Sequence, residues 1–251
     1  MKIFKKSLLF SLLLSSTTFF MHAKWHDYKP LVWIFGKSKQ KIGRELIDAI
    51  RNQEYREEIL DILEKNPDVN VQDKKGATSL MLAALQNDTE LVKTILEKGA
   101  DTNIQESLSG LTALMFSTEN NNVEIAQLLL SHGADVNKQM FLGFSALTYA
   151  IMQNKKELAT FLLKNGANPN NQDWVMGLTP LILAVSDKNL DMVAVLLKNG
   201  ADPSIKDFSD KTARDYAKEQ GSEEILSWLG EEIGEEKAKE EAEKTAAVPT
   251  E

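Results

Sequence analysis

Glycine recurs along this chain at a fixed interval. Gly43, Gly76, Gly110, Gly143 and Gly177 are followed by Asp210 in the sixth place, at spacings of 33, 34, 33, 34 and 33 residues. A period of that size marks a stacked array of small units, none of which buries its apolar face alone. One elongated domain is therefore expected, with a continuous core along the stack, and function belongs to a surface that several units share. The 251 residues are 43% apolar, enough for such a core.

Each unit repeats one internal pattern, seen clearly in GLTALMFSTENNNVEIAQLLLS from Gly110 to Ser131. In its second helix, counting back from the closing glycine, apolar residues stand at −8, −7, −4 and −3: Leu91, Val92, Ile95, Leu96; Ile125, Ala126, Leu129, Leu130; Leu158, Ala159, Leu162, Leu163; Met192, Val193, Leu196, Leu197. That spacing puts all four on one helical face. Gly99, Gly133, Gly166 and Gly200 suit a left-handed position that ends a helix. The first helix opens with Thr78, Thr112, Ser145, Thr179 or Thr212, whose hydroxyls cap free N–H groups, and Pro180 falls where a missing N–H is harmless. Leu80, Leu114, Leu147 and Leu181 follow as core contacts, and Ala83, Ser117, Ala150, Ala184 and Ala217 keep one position small. The segment after the second helix, such as ADVNKQMFL, is turn-rich and short, and is expected to project as a β-hairpin finger or extended loop.

Gly177-Leu178-Thr179-Pro180-Leu181-Ile182-Leu183-Ala184 and Gly133-Ala134-Asp135-Val136-Asn137 resemble the ankyrin repeat, in which Gly-x-Thr-Pro-Leu-His-x-Ala opens two helices that close on Gly-Ala-Asp-x-Asn. The resemblance implies an all-α solenoid of helix-turn-helix pairs joined by β-hairpin fingers, with units over 43–75, 76–109, 110–142, 143–176 and 177–209 and a capping unit over 210–230. The family's helix A histidine is replaced by Met81, Met115, Thr148, Ile182 and Asp215. In the last unit Arg214 stands for the core leucine and Lys218 for an apolar residue, while Ile225, Leu226 and Leu229 stay apolar, as a cap with one wet side requires.

The two ends differ from the array. Residues 1–23 carry Lys2, Lys5 and Lys6 ahead of an apolar run from Ser7 to Phe20 and a small residue at Ala23, which reads as a secretory signal peptide cleaved after Ala23. The run falls short of the ~20 residues of a spanning helix. A periplasmic or secreted protein is expected, and an uncleaved leader tethering a structural scaffold to a membrane is the alternative. The 24–42 segment holds Trp25, Tyr28, Trp33 and Phe35 among five lysines without a clear period. It reads as a cover for the open end of the stack, or else as a membrane-surface or partner-docking arm. After Gly230 the tail has seven glutamates and three lysines from Glu231 to Lys244 and reads as a frayed helix, then disorder.

Loss of the leader takes the formal charge from −8 to −11, because it removes three lysines and no acids. That balance argues against nucleic acid or an anionic membrane as partner. With no cysteine and only His26 and His132 as histidines beyond the leader, no catalytic group, metal site or cofactor site is identified. An enzyme or ligand carrier with a site between units stays a lesser alternative to a monomeric, non-catalytic scaffold that binds another protein.

The unusual chemistry lies on the fingers. Two residues before each opening glycine stand Lys74, Leu108, Phe141, Val175 and Phe208, and one residue after it Ala77, Leu111, Phe144, Leu178 and Lys211. Both series turn apolar in the middle units, and Leu142, Trp174 and Met176 thicken the zone. The column of Leu111, Phe144 and Leu178 suits either packing between fingers or binding, whereas Phe141, Leu142 and Trp174 are hard to bury within the chain. Leu108, Leu111, Phe141, Leu142, Phe144, Trp174, Val175, Met176 and Leu178, with Met152 on the adjoining helix A, are the expected partner-binding residues.

Overall fold

A computed structural model describes residues 29–230, with side chains described from residue 38. The leader, residues 24–28 and the tail from residue 231, on which the readings of the two ends rest in part, lie outside the described residues.

Within them the chain forms six antiparallel helix pairs: α1 Lys29–Arg51 and α2 Arg56–Glu64; α3 Ser79–Leu85 and α4 Thr89–Glu97; α5 Ala113–Glu119 and α6 Val123–Ser131; α7 Ala146–Met152 and α8 Lys156–Lys164; α9 Pro180–Ser186 and α10 Leu190–Lys198; α11 Ala213–Glu219 and α12 Glu223–Trp228. First helices pack on first helices of neighbouring pairs and second on second, which makes the solenoid. The regularity starts with capping. Thr78, Thr112, Ser145, Thr179 and Thr212 each accept a hydrogen bond from the backbone N–H three residues on, at 3.2 to 3.4 Å. Each closing glycine has φ between +82° and +88°, where a Cβ would be strained, so the second helix stops there.

Helix-to-helix approach depends on the small position. Ala83, Ser117, Ala150, Ala184 and Ala217 are all fully buried, and Ser117 Oγ satisfies itself on Leu114 O at 2.7 Å. The core is one cluster from Leu46 to Leu229. Met81, Met115 and Ile182, which stand where the family has histidine, are buried in it. Thr148 there meets Ser145 Oγ at 3.1 Å, and Asp215 closes a capping box on Thr212. The position is thus held by packing or by a local cap instead of a histidine. In the last pair Arg214 and Lys218 are exposed, while Ile225, Trp228 and Leu229 are buried, so this end of the stack is sealed.

Three expectations are corrected. α1 runs unbroken from Lys29 through Gly43, so the boundary at 42/43 lies inside a helix and most of the 24–42 segment is helical. Gly43 is therefore no turn glycine. A Cβ there would run into the carbonyl oxygen of Asp68 and stand 3.1 Å from Val71 Cγ2, so its smallness admits the following loop, whose Asp68 N–H donates to Lys39 O at 3.2 Å. The third concerns the fingers: they are tight turns, and among the described residues the only β pairing is the isolated bridge between Gln139 and Ser145.

Two side-chain ladders replace a sheet between fingers. Gln72, Gln105, Gln139 and Gln172 each donate from Nε2 to the opening glycine's carbonyl in their own finger and to a carbonyl of the next. Asn70, Asn103, Asn137 and Asn170 likewise donate to the closing glycine of the next unit and accept from an N–H two residues beyond it. The glutamine ladder thereby satisfies carbonyls that are mostly buried or half-buried, and the asparagine ladder ties exposed backbone groups across each junction.

Candidate functional site

All but one of the described finger tips are turns held by one acidic side chain. Asp73 accepts from the N–H groups of Lys75 and Ala77 at 2.8 Å, and Asp173 from those of Val175, Met176 and Leu178 at 2.7 to 2.8 Å. Glu106 accepts from the N–H groups of Leu108 and Ser109 at 2.7 and 2.5 Å and from the Ser109 hydroxyl. Burial pushes the Glu106 carboxyl up, but the Ser109 hydroxyl and the converging N–H groups outweigh it, so its pKa lies below the ordinary glutamate value. Asp207 takes the same place in the last finger, accepting from Ser209 and Lys211 N–H and from Tyr216 Oη at 2.7 Å. That bond pushes the Tyr216 phenol up to about 12. The finger around Gly143 has Met140 instead, nearly buried, and it is the one that makes the β bridge.

The tip side chains stay outside the core. Leu108, Phe141, Leu142, Trp174, Val175 and Met176 are exposed, from 48% for Leu142 to 73% for Leu108, and Phe208 extends the set into the last finger. Single backbone bonds tie the tips into one row: Ser107 N–H to Lys75 O, Phe141 to Ser109, Trp174 to Leu142 and Phe208 to Met176, at 2.8 to 3.0 Å. The aromatic rings seat on glycine. A Cβ built on Gly110 would stand 2.8 Å from Phe141 Cδ1, one on Gly143 2.8 Å from Trp174 Cγ and Cδ1, and one on Gly177 2.5 Å from Phe208 Cδ1. One face of each ring is thus held by the preceding finger and the rest is left to solvent, which preorganises an apolar surface.

The second predicted column behaves differently. Leu111, Phe144 and Leu178 are half-buried and pack against the core, so they support the fingers from beneath. Met152 is exposed but is the last residue of α7, about 9 Å of helix from the finger that precedes it. Sequence reasoning missed the helix A column between these zones: Leu82, Phe116, Tyr149, Leu183 and Tyr216 are all half-buried and lie one unit apart. Their common offset of six from the opening glycine, or from Asp210, was the available signal. Tyr149 Oη donates to Glu119 at 2.6 Å, and that bond, with burial, raises its pKa.

His132 sits at the C-cap of α6 with Nδ1 2.8 Å from Leu128 O, an ordinary helix-end position. Among the described residues no three His, Cys, Asp or Glu side chains are grouped to hold a metal ion, and no helix is long and apolar enough to cross a membrane.

No curated protein matches the chain. A family model described as "Ankyrin repeats (3 copies)" matches residues 46–140, 80–173 and 147–241, overlapping stretches that together span most of the chain. The stacked helix pairs fit such an array, and the chain belongs to the ankyrin-repeat family.

Proposed function

We propose that this protein is an exported, non-catalytic scaffold of six ankyrin repeats, the last a cap, which binds another protein through its finger tips and the adjoining helix A face. The observation that carries the reading is the row of exposed apolar side chains on consecutive fingers, from Leu108 to Met176. A contiguous row of exposed apolar side chains gains free energy when a partner covers it, and rigid aromatic anchors on a rigid support are what interface hot spots are made of. Export rests on residues 1–23, whose basic start and short apolar run are those of a cleaved leader, and it places the protein in a periplasmic or extracellular space. The apolar column of helix A from Leu82 to Tyr216 continues the surface inward.

The test is the triple substitution Leu142→Ser, Val175→Ser and Met176→Ser, residues that are exposed and outside the core. Pull-down from the native compartment should lose the partner while thermal unfolding stays within a few degrees of wild type. Retention of the same partner by the folded triple variant would remove the finger tips from the interface. Mass spectrometry of the native protein should find an amino terminus near Lys24, and an intact Met1 would favour the tethered scaffold instead.

A further inference from the structure

The finger row is polarised. Where later tips carry Leu108, Phe141 and Val175, the first carries Lys74, with Lys75 beside it. Across an open groove of about 820 Å³ from these lysines stand Arg44 and Arg51 of α1. Arg51 is held by Asp48, at 3.4 Å, and by Asp73. Arg44, Lys74 and Lys75 are exposed and have no carboxylate partner among the described residues. This cluster of unpaired cations belongs to a chain of formal charge −8, so its position is distinctive. It also adjoins the apolar tips directly, since Lys75 O accepts from Ser107 N–H in the next finger at 2.9 Å. Farther along the stack, exposed Glu119 ends α5 and exposed Asp187 caps the end of α9, which disfavour an acidic segment there.

We infer that the partner presents one extended segment with carboxylates at one end and large apolar side chains farther along, the acids entering the groove between α1 and the first finger. The inference rests on the finger-tip reading above and adds the partner's chemistry and direction. Neighbouring helices pack about 9 Å apart, so two to three units separate Lys74 from the Phe141 and Trp174 tips by roughly 18 to 27 Å. At about 3.3 Å per residue of extended chain, the acids and the apolar anchors lie about five to eight positions apart. The cations set the register and orientation, and the aromatic tips supply the buried anchors.

Selection of a displayed random library, with peptides of about 16 residues to cover twice that separation, against the purified protein tests this. Enriched peptides should carry Asp or Glu about five to eight positions from an aromatic or aliphatic pair. Such a peptide should bind Lys74→Glu/Lys75→Glu at least about tenfold more weakly and should lose affinity as salt rises. Apolar peptides without acidic bias, bound equally by the double variant, would overturn the inference and leave the finger-tip reading standing. Enriched peptides that bind the Leu142→Ser/Val175→Ser/Met176→Ser variant as well as wild type would overturn both readings, as would the absence of any enrichment.

Discussion

The ring of Phe208 lies against Gly177 in the preceding finger, so close that a Cβ built on that glycine would stand 2.5 Å from Cδ1 and 2.7 Å from Cε1. The same seat recurs for Phe141 on Gly110 and for Trp174 on Gly143. An opening glycine therefore serves two needs at once, a positive φ for the turn and a bare surface for the next finger's ring.

Gly177→Ala should then cost more than Gly133→Ala. Both have positive φ, +74° and +87°, but nothing lies within 4 Å of a Cβ on Gly133. The strained backbone alone costs about 1 kcal/mol, and displacing the ring adds on the order of another 1 kcal/mol at Gly177. Urea denaturation of both variants measures the difference. In a double-mutant cycle Phe208→Ala should recover most of the added cost, because the three atoms nearest that Cβ all belong to the Phe208 ring. Equal costs for the two glycines would show that the ring yields freely.

The glutamine ladder predicts a loss of coupling between units. Gln105 Nε2 donates to Gly110 O at 2.7 Å and to Gln139 O at 2.9 Å, joining two fingers. Gln105→Leu keeps the bulk and leaves both carbonyls without this donor, at a cost of about 1 to 3 kcal/mol. Hydrogen exchange should show faster opening of the two fingers concerned, and unchanged exchange there would mean that water replaces the amide without loss.

Acid should loosen the finger that Glu106 holds. Its folded pKa lies below the ordinary value of 4.5, so the carboxylate's contribution is complete above that value and is lost as pH falls through the folded pKa. Glu106→Gln should be less stable at neutral pH, by about 1 to 2 kcal/mol for the weakened charge-assisted bonds, and should show a flatter stability profile below pH 4.5. At the other extreme, Tyr216 is raised from 10.0 to about 12 by its bond to Asp207. Its contribution is present below pH 10 and fades as pH rises toward 12, and Tyr216→Phe should remove that alkaline component.

Phe144→Ser and Val175→Ser separate support from contact. Phe144 is half-buried against the core, so its loss should cost about 2 kcal/mol. Val175 is 60% exposed and should cost less than about 0.5 kcal/mol. Thermal unfolding of the two single variants measures this, and a reversed order would exchange their assigned roles.

Much of this architecture was legible because helix ends write themselves in residue type. Thr78, Thr112, Ser145, Thr179 and Thr212 cap where hydroxyls were placed, and Gly99, Gly133, Gly166 and Gly200 terminate in the left-handed region. The start of α1 was not legible, since five consecutive apolar residues from Leu31 to Phe35 hide any amphipathic period and Gly36 and Gly43 argue against a helix. Gly43 is explained only by the carbonyl of Asp68, a contact made by the following loop. The exposure of tip residues such as Phe141 and Val175 is legible from their column in the repeat. Leu111, Phe144 and Leu178 shared that signal, but their burial depends on the depth of the finger, which no spacing reports. Gln72, Gln105, Gln139 and Gln172 recur at the same 33- and 34-residue period, yet an amide's reach across a junction becomes visible only with the fingers stacked.

Photocrosslinking in the native compartment tests the central claim most directly. A photoreactive side chain placed at Val175 or Leu142, on the tips, is compared with one at Glu124 or Gln127, exposed on the second helix of a pair. The finger positions should give one shared adduct of defined mass and the second-helix positions none. An adduct formed only from Glu124 or Gln127 would contradict the assignment of the finger tips as the binding surface.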